Sequence, residues 1–279
     1  MLFPKNIEDK LDFKIIRKYI SDRCESAMAQ RKAANFAFST DFDTVVFSLK
    51  LTDEMKQIVL FEERFPAGFF PDDEQVFTQK QQAGSYFKES ELMELKASLE
   101  NVKRLASFFS DPKTKDYPKL KSLLPEINFA SYIIQSINAV IDRHGEMKDN
   151  ASSDLRSIRR ELSNKKASIS KTLNQIIAKA SAEGIVEAGT QATMREGKLL
   201  IPVSASNKRK IKGVVYDISA SGQTGYIEPF EVTELNNDIR ELEMAEKREM
   251  IRILSELTEN FRPYFPQITN TYNYLAEID

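Results

Sequence analysis

The chain has 279 residues, enough for one large or two modest domains whose core needs no covalent staples. One Cys and one His exclude a disulfide framework and a Cys/His metal site, and 40 Lys/Arg against 42 Asp/Glu leave a net charge of −2 that favours no partner by itself. Nine Gly, no Trp and 29% charged residues suit an α-rich, soluble, intracellular protein, with an amino end too polar for a signal peptide and no apolar run of membrane-spanning length.

Residues 5–37 read as a helix or helix pair whose apolar face holds Leu11, Ile15, Tyr19, Cys24 and Met28. Cys24 is read there as a small core filler, since no His lies near it. Residues 40–66 repeat the pattern, and Val45, Val46, Leu49, Met55, Ile58, Val59 and Phe65 fit two short helices. A break follows at 68–71, then a helix over 89–109 capped by Ser90, a loop with two prolines over 111–118, and a helix or two over 123–141. Helix after helix with short breaks predicts an α-helical domain over residues 1–140.

From residue 141 the pattern changes. Gly145 permits a turn, His144 reads as a solvated residue within it, and Asp149 or Asn150 can cap the helix that follows. Leu155, Leu162, Ile169 and Ile176 recur every seven residues, a heptad seam along a helix of about thirty residues and roughly 45–50 Å. That helix carries Arg156, Arg159, Arg160, Lys165, Lys166, Lys171 and Lys179. A second long stripe, with Leu235, Ile239, Leu242, Ala245, Met250, Ile253, Leu257 and Phe261, is edged by Glu234, Asp238, Glu241, Glu243, Glu246 and Glu249. The two predict an antiparallel pair whose bases and acids face each other, each exposed pair contributing only about 0.2–1 kcal/mol.

Between these helices, 184–229 is rich in strand formers. Residues 198–203 and 211–218 are predicted to pair as a hairpin, and Gly222 and Gly225 to turn the chain into a further short strand at 226–228, which Pro229 ends. The connection SASNKRK places Lys208, Arg209 and Lys210 at the expected hairpin tip, with Lys212, Arg195 and Lys198 nearby. A basic hairpin on a long arm can reach a polyanion, because Lys and Arg displace counterions from phosphates. An edge hairpin shielded by lysines is the plainer reading of the same residues. No aromatic residue interleaves with the tip bases, so stacking on single-stranded bases is not indicated.

The string V-x-D-I-S-A-S-G-Q-T-x-Y-I-E-P at 215–229, L-N-N at 235–237, and Glu246, Glu249, Ile253 and Leu254 beyond it resemble the MutS family, and within it the bacterial second branch that lacks a mismatch-reading domain. The run I-D-x-x-G-x-x-x-D-x-A-S-x-x-L at 141–155 resembles the start of that family's lever helix. The triplets Phe61–Glu63 and Phe87–Glu89 match the family's mismatch wedge by chance composition, and we read neither as one. Asp154–Arg156 is likewise no nuclease motif, lying within a helix without metal ligands.

The resemblance implies a mainly α fold: a helical core (1–140), then lever helices at about 150–183 and 232–262 bearing a small β-hairpin clamp at 184–229 within 141–279, the last helix folding back on the core. It implies the nucleic-acid-embracing part of an ATPase that controls recombination on double-stranded or branched DNA. A rival role is on stalled ribosomes, and a further alternative is a protein-interaction scaffold that dimerises through the lever seam. Lys208, Arg209, Lys210 and Lys212, with Arg195 and Lys198 behind them, are the expected phosphate contacts. No P-loop occurs, and Ser221–Gly225 lacks the lysine of a nucleotide site. ATP and Mg, a homodimer and an Smr-type nuclease tail are therefore expected of a full-length protein, with this chain a non-catalytic piece of it.

Overall fold

The computed structural model describes residues 7–66 and 79–279, so the break expected at 68–71 lies outside the described residues. The chain divides into two compact units, one made of Asp149–Arg252 and the other of the described residues before it together with Ile253–Asp279. The helix Phe230–Phe261 contributes to both.

The first unit is helical: α1 (Ile7–Lys10), α2 (Phe13–Ser21), α3 (Ala27–Ala34), α4 (Phe42–Phe61), α5 (Glu89–Ser110), α6 (Pro118–Ser122) and α7 (Ala130–Val140). Its spine is α5, where Leu92, Leu95, Leu99, Val102 and Leu105 recur at three- and four-residue spacing and all are buried. Glu91 starts this helix by accepting the Lys88 backbone N–H at 2.7 Å, while Ser90, the expected cap, lies one residue inside. One apolar cluster joins Ile58 of α4 and Val102, Leu105, Phe108 and Phe109 of α5 to Tyr117, Leu120, Tyr274 and Leu275.

Residues 42–61 form one helix, not the two expected. Asp41 caps it, accepting the Thr44 N–H at 2.8 Å, and no Gly or Pro interrupts it. Of its apolar residues only Ile58 is buried, while Val45, Leu49 and Val59 face out. Cys24 is half-buried rather than a core residue, its thiol directed at the Ile20 carbonyl. Phe87 is buried against Phe265, and Phe61 is the exposed last residue of α4. His144 is exposed in a turn where Gly145 adopts φ 86° and the Asp142 carboxylate accepts the Glu146 and His144 N–H groups, which lowers its pKa.

In the second unit, α8 (Ser153–Ala182) leads into strands β1 (Thr193–Arg195), β2 (Lys198–Ser204), β3 (Gly213–Ile218) and β4 (Thr224–Pro229), and then α9 (Phe230–Phe261). A 3₁₀ turn (Arg262–Tyr264) and α10 (Phe265–Ile278) close the chain. In the first unit, α10 packs on α3 and α5, and the Asp279 carboxylate accepts the N–H groups of Glu25 and Ser26 at 2.9 and 2.8 Å, just ahead of α3.

Ser152, not Asp149 or Asn150, caps α8: its hydroxyl accepts the Leu155 N–H at 3.0 Å. Asp149 instead binds Arg159 at 2.6 Å. Helices α8 and α9 run antiparallel and face base to acid as expected: Arg159–Glu246 at 2.7 Å, Lys165–Asp238 at 2.6 Å and Lys166–Glu243 at 2.9 Å. At one end of the pair the Ser152 hydroxyl donates to Glu249 at 2.7 Å, and Arg252 binds the same carboxylate. Arg252, then Ser152, hold the Glu249 pKa down to about 2. Leu155, Ile158, Leu162 and Ile169 follow the heptad line, but in the last third of α8 the most buried positions are Leu173, Ile177 and Ala180, where the helix packs under the sheet.

The four strands form one antiparallel sheet of order β1-β2-β4-β3. The expected pairing of 198–203 with 211–218 is therefore corrected: β4 lies between them, Ile201 opposing Ile227 and Val215 opposing the other edge of Ile227. Only β3 and β4 are joined by the predicted glycine turn, with Gly222 at φ 69°. Gly213 has no room for a side chain, since a Cβ there would lie 2.3 Å from the Glu228 carbonyl oxygen.

Candidate nucleic-acid interface

The sheet order decides what the connection from β2 to β3 can be. Both strands are antiparallel to β4, so they run parallel to each other, and a tight turn cannot join them. Residues 205–212 must return along the length of β2, about 20 Å for seven residues. The bases Lys208, Arg209, Lys210 and Lys212 thus lie along a crossover strap, not at a hairpin tip.

The strap is anchored along its whole length. Its start is tied to the β3–β4 turn by the Ala205 N–H, which donates to the Gln223 carbonyl at 2.8 Å. Asn207 donates its side-chain amide to the Ile185 carbonyl at 3.0 Å. Ile211 is buried in the apolar cluster of Leu173, Ile177, Ile201, Val203 and Ile227. At the strap's end the Lys212 carbonyl accepts the Phe230 N–H at 3.2 Å. Between and beside these anchors Arg209, Lys210 and Lys212 are exposed and Lys208 is half-buried, its Cβ lying over Gly225. Among the described residues none of the four makes an ion pair. Four positive charges are therefore carried on an anchored backbone, three of them exposed and one half-buried.

Arg195 and Lys198 are held differently. Arg195 binds Asp217 at 2.6 Å, donates to the Tyr226 hydroxyl at 2.8 Å and lies 3.8 Å from that ring's centroid. Lys198 binds Glu228 at 2.6 Å and lies over Tyr216 at 4.7 Å. Glu228 is only 3% exposed and also accepts the Asn236 amide at 2.8 Å, so its charge is fully paired and hydrogen-bonded. The Tyr216 hydroxyl donates to Glu196, which raises its pKa. The structure thus places four of the six sequence-predicted bases on the crossover strap and two on the strands of the sheet, those two bound into ion pairs with other strands.

Sequence reasoning missed the residues that create this distinction. Asn207 and Ile211 anchor the strap, while Asp217 and Glu228 neutralise the two inner cations. Ile211 was read as the first residue of a strand over 211–218, whereas β3 begins at Gly213 and Ile211 anchors the strap. Asp217 and Glu228 stand within the 215–229 string, yet nothing in the string says which base each would meet. Among the described residues no three His, Cys, Asp or Glu side chains gather as a metal site, and no helix is long and apolar enough to cross a membrane.

No protein-family model matches the chain. Curated relatives do. The chain is 31% identical over 270 residues to the endonuclease MutS2 of Alkaliphilus oremlandii, covering 96% of this chain and 34% of that protein. It is 32% identical over 262 residues to the endonuclease MutS2 of Alkaliphilus metalliredigens (93% and 33%), and 33% identical over 251 residues to that of Thermomicrobium roseum (89% and 31%). The chain spans about a third of the length of these relatives. Through about nine-tenths of its own length, then, this chain is similar to one part of proteins named endonuclease MutS2.

Proposed function

We propose that this chain is the core, lever and clamp region of a MutS2-type protein that acts on DNA, and that its clamp grips the phosphate backbone through Lys208, Arg209, Lys210 and Lys212. The observation that supports this best is the contrast on a single sheet: four cations on an anchored strap that make no ion pair among the described residues, against two that are neutralised in place. Relatives that carry the name endonuclease MutS2 support the DNA setting. Arg195 and Lys198 act behind the strap by holding the sheet together. Lysine and arginine contacts to phosphate position a protein without reading bases, so binding is sequence-tolerant and steeply salt-dependent. We assign this region no catalytic step; ATP hydrolysis with Mg, and the relay of strain to the domain that performs it, belong to the remainder of a full-length protein.

The test is Lys208→Ala/Arg209→Ala/Lys210→Ala, measured by fluorescence anisotropy on branched and linear duplex DNA and by co-sedimentation with purified ribosomes. On DNA, the slope of log K against log salt should flatten by about three units, roughly 0.9 for each phosphate no longer neutralised. Reduced binding to ribosomes with DNA binding intact would transfer the strap to a ribosomal target. Unchanged binding to both would leave the scaffold reading.

A further inference from the structure

Within the first unit, α4, the loop 123–126 and α10 border an open groove of about 620 Å³, inside the ~300–1,000 Å³ range of ligand sites. Its apolar floor is Phe47 and Leu51 of α4, Leu123 of the loop and the Tyr274 ring of α10. Leu51 and Leu123 pack on the buried cluster around Ile58, so the floor is supported from beneath. Along one side runs a polar row from α10, Gln267, Asn270, Asn273 and Glu277, whose three- and four-residue spacing puts them on one helix face. Thr271 and Lys32 engage only the backbone carbonyls of Gln267 and Asn273. None of the three side-chain amides has a hydrogen-bond partner among the described residues. The row is about 15 Å long, the span of roughly four or five extended residues. Two carboxylates and no Lys or Arg line the groove. Glu277 is bound to Lys32 at 3.0 Å, while Glu126 is exposed and has no ion pair among the described residues.

We infer that this groove docks an extended segment of a partner protein. The segment sets an apolar side chain on Phe47, Leu51 and Leu123, a Lys or Arg beside Glu126, and its main chain along the α10 amides. Side-chain amides suit this occupant because each both donates and accepts, and so meets a peptide C=O and N–H whatever the sequence. A helical partner would keep those groups for its own hydrogen-bond ladder and leave the row unmet. A compact ligand would leave most of the row unused, and the two carboxylates repel a nucleic acid. This inference does not depend on the nucleic-acid reading of the strap.

A phage-displayed library of random dodecapeptides, panned on the 279-residue chain, supplies the probes, which are then synthesised with a fluorophore and titrated by anisotropy. Enriched peptides are expected to carry a Lys or Arg close to a large apolar residue. Asn270→Ala with Asn273→Ala should weaken them about tenfold through two lost hydrogen bonds. Alanine sustains a helix at both positions, so the melting temperature should not fall. Ser48→Arg, at an exposed position beside the floor, should block binding. Glu126→Lys should weaken a basic peptide about tenfold and bind again when the peptide's Lys or Arg is changed to Glu, a rescue that a merely structural effect would not give. N-methylation of alternate peptide bonds should abolish binding, because it removes main-chain donors. A library that yields no enriched peptide overturns the proposal. Peptides that bind the Asn270→Ala/Asn273→Ala and Ser48→Arg chains as tightly as wild type overturn it too, as does affinity that survives N-methylation.

Discussion

The cations at the β1–β2 end of the sheet and those on the strap are chemically alike and only a few residues apart in sequence. Arg195 and Lys198 each meet a carboxylate and a tyrosine ring on other strands, so each contributes to the stability of the sheet. Lys208, Arg209, Lys210 and Lys212 make no such pair among the described residues, and their backbone is held by Asn207 and Ile211 instead. The difference teaches that a count of basic residues does not measure an interface. What matters is which charges the fold has already neutralised.

The largest effect expected is one that would break this distinction. Gly213→Ala drives a methyl group onto the Glu228 carbonyl and forces β3 away from β4, at a cost of about 3 kcal/mol. Because β3 carries Asp217, Arg195 would lose its partner, and the thermal melt should fall well below wild type. Next comes Lys198→Met, which strands the Glu228 carboxylate with only the Asn236 amide. Breaking a fully buried pair costs about 3–5 kcal/mol; here about 2 kcal/mol is expected, because the lysine keeps partial access to water. Lys210→Met should change stability by less than about 0.5 kcal/mol while weakening DNA binding. Denaturant titration of the two methionine variants compares them directly.

Smaller effects sharpen the comparison from the two long helices, α8 and α9. Ser152→Ala removes the α8 cap and the hydroxyl bound to Glu249, a loss of about 1 kcal/mol, with no expected change in the salt dependence of DNA binding. The Glu249 carboxyl is held near a pKa of about 2 by Arg252 and Ser152, below its unfolded value of 4.5. The unfolded chain therefore binds more protons at low pH. The stability this group contributes is complete above about pH 5 and is lost as pH falls toward about 2. Glu249→Gln should flatten that part of an acid melt.

Much of the second unit was legible because its signals are local. The seven-residue period, the basic α8 and the acidic α9 identify an antiparallel pair from the residues alone, and the β-branched runs mark β2, β3 and β4 as strands. Their order was not legible. Neighbours in sequence usually pair, and nothing in the composition of 205–212 says that β4 will insert between β2 and β3. Strand β1 was missed because Thr193, Met194 and Arg195 are too few to show a period. In the first unit, apolar spacing was read as burial, yet α2 and the first half of α4 turn that spacing outward. Periodicity reports that a face is apolar, not what covers it.

The backbone bond from Phe230 to the Lys212 carbonyl has a mechanical consequence. The last basic residue of the strap and the first residue of α9 are clamped together, with Gly213 wedged against β4 immediately beyond. A tug on the strap is not absorbed by slack chain. Under the proposed grip on DNA, it would be delivered to the end of a 32-residue helix about 48 Å long.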